Sequence, residues 1–245
     1  MVAATLVIPL MAKRSTVSLP ALAAEKKSAV VVLDPGHNGG NGSHPKEINR
    51  IVDIGTKKKA CNTVGASTAS GFTEHEYNFD LAKRVKRELE ALGIAVLMTR
   101  TSDDGVGPCI HARAAIANNA KAAALVAIHA DGGPPKGRGF FVIKPALVKG
   151  LTDSTVGPSA VLADSLVAAI RLGTDMPLST YVGRSGLLTS SDYGTLNLAK
   201  VATVILETGN MRNKTDAALL ESDAWRDKMA KSIAVGLSAF VLRTS

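Results

Sequence analysis

Apolar positions along this chain fall into two rhythms. Short unbroken runs, most of them rich in β-branched residues, occur at 29–33, 94–99, 123–129, 139–143 and 201–207 and predict strands. Runs without polar alternation belong to strands covered on both faces, as in a parallel sheet. Between them, apolar residues recur three and four apart. In residues 74–92 these are Tyr77, Leu81, Val85, Leu89 and Leu92, with Lys, Arg and Glu between them and Gly93 after. That spacing predicts an amphipathic helix stopped by the glycine. Residues 109–119, 159–172 and 224–242 read as further helices. Strands alternating with helices predict an α/β fold, a single domain with a twisted, mostly parallel β-sheet flanked by helices on both faces.

Two stretches depart from this alternation. Residues 38–71 are polar and glycine-rich, too long for an idle connection, and read as functional or loosely ordered. Residues 1–24 do not resemble part of a fold. An apolar run at 2–12, broken by Pro9, is followed by Ala21-Leu22-Ala23-Ala24, an Ala-x-Ala pattern of a secretory signal. Lys13 and Arg14 stand after the apolar run rather than before it, so a disordered leader is the alternative. Residues 25–245 then form a single folded domain, and an export signal would place it outside the cytoplasm.

Cysteine usage bears on the same question. Cys61 and Cys109 are the chain's two cysteines, and neither belongs to a C-x-x-C pair, so zinc-ribbon and thioredoxin readings have no support. In an exported chain they suggest one disulfide; in a cytosolic one they would be two buried thiols.

Composition narrows the class. With 46% hydrophobic residues the 245-residue chain is neither disordered nor a low-complexity repeat. No apolar stretch approaches the roughly 18 residues of a membrane span. The net charge of +8 hints at an anionic partner. Only 4% aromatic residues and no basic helix make nucleic acid the weakest candidate. Cleavage near Ala24 would remove Lys13 and Arg14 and leave an excess of +6.

Ligands of open α/β sheets bind outside the carboxyl ends of the strands. Asp34-Pro35-Gly36-His37 follows the first predicted strand, His129 ends the third, Glu207 ends the last, and Glu74 opens the amphipathic helix. Two imidazoles and one carboxylate make a three-ligand zinc site with an open fourth position, and a second carboxylate nearby can move a proton. Singly, each residue has a structural alternative as a capped or solvated group. Apolar strands leading straight into all of them make a shared use the better explanation.

Other candidates fail on spacing. His75-Glu76 begins an H-E-x-x-H pattern, but Phe79 takes the final place. Residues 36–42 lack the endings of phosphate loops. Ser185, Ser190 and Ser191 lack a G-x-S-x-G elbow. His44, His111 and the run Lys57-Lys58-Lys59 read as solvated.

The segment Val32-Leu33-Asp34-Pro35-Gly36-His37-Asn38-Gly39 resembles the L-D-P-G-H-G-G opening of the zinc N-acetylmuramoyl-L-alanine amidases of the type-3, AmiC-like family. Gly71-Phe72-Thr73-Glu74, Ile128-His129-Ala130-Asp131 and Val204-Ile205-Leu206-Glu207-Thr208-Gly209-Asn210-Met211-Arg212-Asn213 continue the resemblance in the same order. It covers residues 29–241. The resemblance implies that His37, Glu74 and His129 hold one Zn2+ and that Glu207 is the general base and then the acid. The implied substrate is peptidoglycan, cut between N-acetylmuramic acid and L-alanine of the stem peptide, which makes residues 25–245 a catalytic domain expected in the periplasm or cell wall space of a bacterium.

Asp131 stands where the family has Asn, and Asn210-Met211-Arg212 replaces Phe-x-Ser. With Arg184 and Asn213, Asp131 is a candidate substrate contact. Residues 144–159 leave no room for the long inserted helix of regulated relatives, so a monomer active without an activator is expected. The alternatives are a zinc peptidase acting within the stem peptide, with Arg184 or Arg212 binding a carboxylate, and a non-catalytic cell-wall-binding protein.

Overall fold

Strand β1 (Val30–Pro35) is buried on both faces, and its neighbours explain why. Val31 and Leu33 point to one side of the sheet, where Val126, Ile128, Val204 and Leu206 join Tyr77, Leu81, Leu162, Leu166, Ile233 and Leu237 in the main core. Val32 points to the other side, with Leu125, Ala114 and Ala117. Ala127, Phe141, Ile143, Leu196 and Ile205 continue that second layer. Successive side chains face opposite ways, so a strand with apolar cover on both sides shows no alternation.

The computed structural model describes Met1 and residues 29–244. The proposed leader, Met1 apart, lies outside the described residues. After β1 come α1 (Pro45–Ile48), β2 (Ile51–Asp53), β3 (Lys58–Ala60), α2 (Glu74–Ala91), β4 (Ala95–Met98), α3 (Ile110–Asn119) and β5 (Ala124–Asp131). Then follow β6 (Phe141–Pro145), α4 (Val156–Gly173), β7 (Leu187–Ser190), α5 (Gly194–Leu198), β8 (Ala202–Asn210), α6 (Lys214–Glu221) and α7 (Asp223–Thr244). The main sheet has the order β4-β1-β5-β8-β6-β7. β4, β1, β5 and β8 are mutually parallel, β6 runs antiparallel to β8, and β7 is parallel to β6. Helices α2, α4 and α7 cover one face, α3 and α5 the other, as the alternation predicts.

Residues 38–71 are ordered rather than loose. They form a 3-10 turn (Gly39–Ser43), α1 and the antiparallel β2–β3 hairpin. A Cys61–Cys109 disulfide ties the segment to the start of α3, and Ile54 is fully buried. The Asn197 side-chain amide donates to the Ile54 carbonyl at 3.1 Å. Helix α2 begins where Glu76 accepts hydrogen bonds from the Thr73 N–H and hydroxyl, at 3.3 and 2.6 Å. Among the described residues α4 is the one helix long and apolar enough to cross a membrane. Its buried stripe of Leu162, Ala163, Leu166 and Ile170 packs into the main core.

Candidate metal centre and active site

β1, β5 and β8 are adjacent and parallel, so their carboxyl ends share one edge of the sheet. His37 follows β1, His129 lies near the end of β5, and Glu207, its register partner, lies on β8. Glu74 is the first residue of α2, which packs against this edge. Ligand atoms of His37, Glu74 and His129 all lie within 4.8 Å of one another. Glu74 Oε1 is 3.1 Å from His37 Nε2 and 2.9 Å from His129 Nδ1.

His37 and Glu74 are oriented from behind. The Thr63 carbonyl accepts from His37 Nδ1 at 2.9 Å, which turns Nε2 toward Glu74. Glu74 Oε2 accepts from the Ala66 N–H at 2.8 Å, and Oε1 from the Ala130 N–H at 3.3 Å. The cluster needs backbone without side chains around it. A Cβ on Gly36 would stand 2.1 Å from the His129 ring, and one on Gly65 would stand 2.9 Å from both Glu74 Oε2 and His37 Cδ2. Gly65 also has φ +92°, a conformation other residues rarely adopt.

These three side chains could hold a metal ion. Burial alone would raise the Glu74 carboxyl, yet its hydrogen bonds to His129 and His37 hold it well below the ordinary carboxylate range. Burial works against charge on His37 too, but the hydrogen bond it donates to Glu74, that carboxylate's negative charge and the Thr63 carbonyl together raise the imidazole. A tetrahedral zinc with bonds of about 2.0–2.1 Å spaces its ligand atoms about 3.3 Å apart. The two Glu74–imidazole spacings and the donor set are compatible with such an ion.

Glu207 differs from Glu74. Its Oε2 is buried without a hydrogen-bond partner. Burial first, then the negative charges of Glu74 and Asp131, push its carboxyl well above the usual range. It faces a cavity of about 380 Å3 lined also by the three ligand residues, Asp131 and Arg212.

Of the predicted substrate contacts, Asp131 lines the cavity and accepts a hydrogen bond from the Tyr181 hydroxyl at 2.7 Å. Burial and the hydrogen bond to Asp131 push the Tyr181 phenol up, so it stays a donor. The structure does not bring Arg184 or Asn213 to the cavity lining. Arg184 is exposed in the turn before β7, where it bridges to Leu187. Asn213 caps α6: its Oδ1 accepts from the Thr215 and Asp216 N–H groups, and its amide donates to the Pro135 carbonyl.

The sequence reading also missed wall residues. Lys59, taken as part of a solvated run, lines the cavity with its ammonium over the Tyr193 ring. Arg113, unremarked on α3, lines it too and is buried. No local spacing marks either, because tertiary contacts place them.

Fold and site together are those of an α/β protein with a His–Glu–His cluster that could hold a metal ion beside a buried, unpartnered carboxylate. A profile described as N-acetylmuramoyl-L-alanine amidase matches residues 31–239, and the chain belongs to this family. Over 229 residues it is 38% identical to an N-acetylmuramoyl-L-alanine amidase of Mycobacterium tuberculosis, covering 91% of each chain. The crystal structure of the N-acetylmuramyl-L-alanine amidase Ami1 of Mycobacterium smegmatis superimposes with a TM-score of 0.83 at 40% identity, over 88% of this chain and 97% of that one. The amidase AmiC2 of Nostoc punctiforme gives 0.66 at 26% identity, over 88% and 98%.

Proposed function

We propose that this chain hydrolyses the amide between the lactyl group of N-acetylmuramic acid and L-alanine of the peptidoglycan stem, with His37, Glu74 and His129 holding one Zn2+. The observation that carries the reading is the His–Glu–His cluster beside the unpartnered Glu207 Oε2. Zinc held there supplies Lewis-acid polarisation and lowers the pKa of a water toward 7. Glu207 takes the proton of the attacking water and delivers it to the departing alanine nitrogen. Asp131, steadied by Tyr181, accepts from a substrate N–H, and Lys59 and Arg212 offer cations to stem-peptide carboxylates.

A second reading, cleavage within the stem peptide, draws on Arg212 at the cavity wall as a carboxylate anchor. Digestion of purified muropeptides with and without a chelator separates the two. Intact stem peptides released from the glycan, with metal only, are the expected product; shortened stems would establish the peptidase.

Residues 1–24 are read as an export signal and 25–245 as the catalytic unit, acting outside the cytoplasm. The Cys61–Cys109 disulfide supports that compartment, since such bonds persist where conditions are oxidising. The enzyme is read as a monomer without need of an activator. Activity from the purified chain alone, eluting at monomer size, is the expected result; activity appearing only on adding a partner would overturn it.

A further inference from the structure

The turn that carries His37 into the site is gripped from behind by two buried arginines. His37 has φ +58°, in the left-handed region that a residue with a side chain rarely enters. Such a conformation persists only where the surroundings over-determine it. Arg113 Nη2 donates to the His37 carbonyl at 3.1 Å, and Nη1 donates to the Pro35 carbonyl at 2.8 Å and to Asp34 Oδ1 at 2.6 Å. Its Nε is anchored on the Pro108 carbonyl at 2.8 Å. Arg100 takes the remaining acceptors. Its Nε donates to the Pro35 carbonyl at 2.9 Å, and Nη2 to the Gly36 and His75 carbonyls at 3.3 and 2.8 Å.

The carbonyls of Pro35, Gly36 and His37 are thus all held by guanidinium donors. Arg100 also ties this turn to the first turn of the helix bearing Glu74. The charges balance locally, Arg113 against Asp34 and Arg100 against Asp103.

We propose that Arg113 is a positioning residue for the metal centre, locking the His37 main chain in its left-handed conformation so that Nε2 meets Glu74 and His129. The inference rests on the zinc reading of that cluster. Thr63 fixes the rotation of the imidazole from one side, and Arg113 fixes the backbone that carries it. A right-handed His37 would swing its carbonyl off Arg113 and its ring out of the site. The planar fork matters, because a lysine offers one charged point and cannot reach Asp34, Pro35, His37 and Pro108 together.

The test compares zinc affinity with stability in the full chain. Arg113→Lys keeps a cation for Asp34. Gly107→Ala keeps both charges, but its Cβ would stand 2.8 Å from Arg113 Nη2 and 2.2 Å from Asn38 Oδ1, displacing that donor from His37. Leu237→Ala, a fully buried truncation on α7 away from the turn, serves as the stability control. Competition against a chromophoric zinc chelator should show affinity weakened about 10- to 100-fold in the first two variants. Leu237→Ala should lower Tm with affinity unchanged, and saturating zinc should restore turnover to Arg113→Lys. If Arg113→Lys does not fold, Gly107→Ala carries the comparison. Wild-type affinity in the folded variants, or an equal loss in Leu237→Ala, overturns the positioning role. A wild-type chain that binds no zinc overturns the metal reading itself, and this inference with it.

Discussion

Replacing both Cys61 and Cys109 with alanine should destabilise the fold by about 4 kcal/mol, and the magnitude follows from the loop the bond closes. The two residues are 48 apart in sequence with Cα atoms 4.6 Å apart. In the chain-entropy picture the unfolded chain loses about 14 cal/mol/K for a loop of that length, or about 4 kcal/mol at 25 °C. For a domain of this size each kcal/mol moves Tm by about 2–4 °C, so the expected fall is about 8–16 °C. The bond also straps down the site. Cys61 accepts from the Ile110 N–H at 3.0 Å, and Thr63, two residues on, carries the carbonyl that orients His37. Urea unfolding of the oxidised protein and the double variant, with equal slopes, measures the difference. A midpoint shift worth less than about 1 kcal/mol would refute the tether argument, since the loop entropy is the largest contribution in it.

Glu207→Ala should reduce turnover by at least about 10²-fold while zinc content, read by atomic emission, stays at the wild-type level; loss of the metal would move Glu207 into the ligand set. Tyr181→Phe removes the donor that steadies Asp131 and should weaken kcat/KM by about threefold to tenfold, the equivalent of about one hydrogen bond, with Tm little changed. Unchanged kinetics would take Asp131 out of substrate recognition. Glu76 is mostly exposed, and the Thr73 hydroxyl, despite some opposing burial, holds its carboxyl below the ordinary value. Its folded pKa is therefore depressed, so its contribution is present above the unfolded pKa and fades as pH falls through the folded one. Glu76→Ala should cost roughly 0.5–1 kcal/mol at pH 7 and much less near pH 3; an equal cost at both would show that the charge is irrelevant.

Elements with strong local patterns were legible beforehand. The fully buried runs of β1, β5 and β8 and the i, i+4 stripe of α2 were read within a few residues, because burial on both faces or along one stripe leaves a periodic trace. The four chemical residues were legible for a related reason: polar groups at the ends of apolar strands stand out. The β2–β3 hairpin, β7, α5 and α6 were not, their strands and helices being three to eight residues long with mixed polarity and held by contacts made elsewhere. Asn210-Met211-Arg212-Asn213 shows the limit well. Arg212 reaches the cavity wall and Asn213 turns back to cap α6, and nothing in their order separates the two.

The amino-acid sequence by itself determined the α/β class, the helix that begins at Glu74, and the four residues of the proposed chemistry, since hydrophobic period and residue type are local properties. The antiparallel course of β6, the orphaned Glu207 Oε2, and the grip of Arg113 and Arg100 on the His37 turn were decided only by the tertiary structure. Each depends on which distant groups meet and how completely they exclude water, and those are properties of the packed chain rather than of any segment in it.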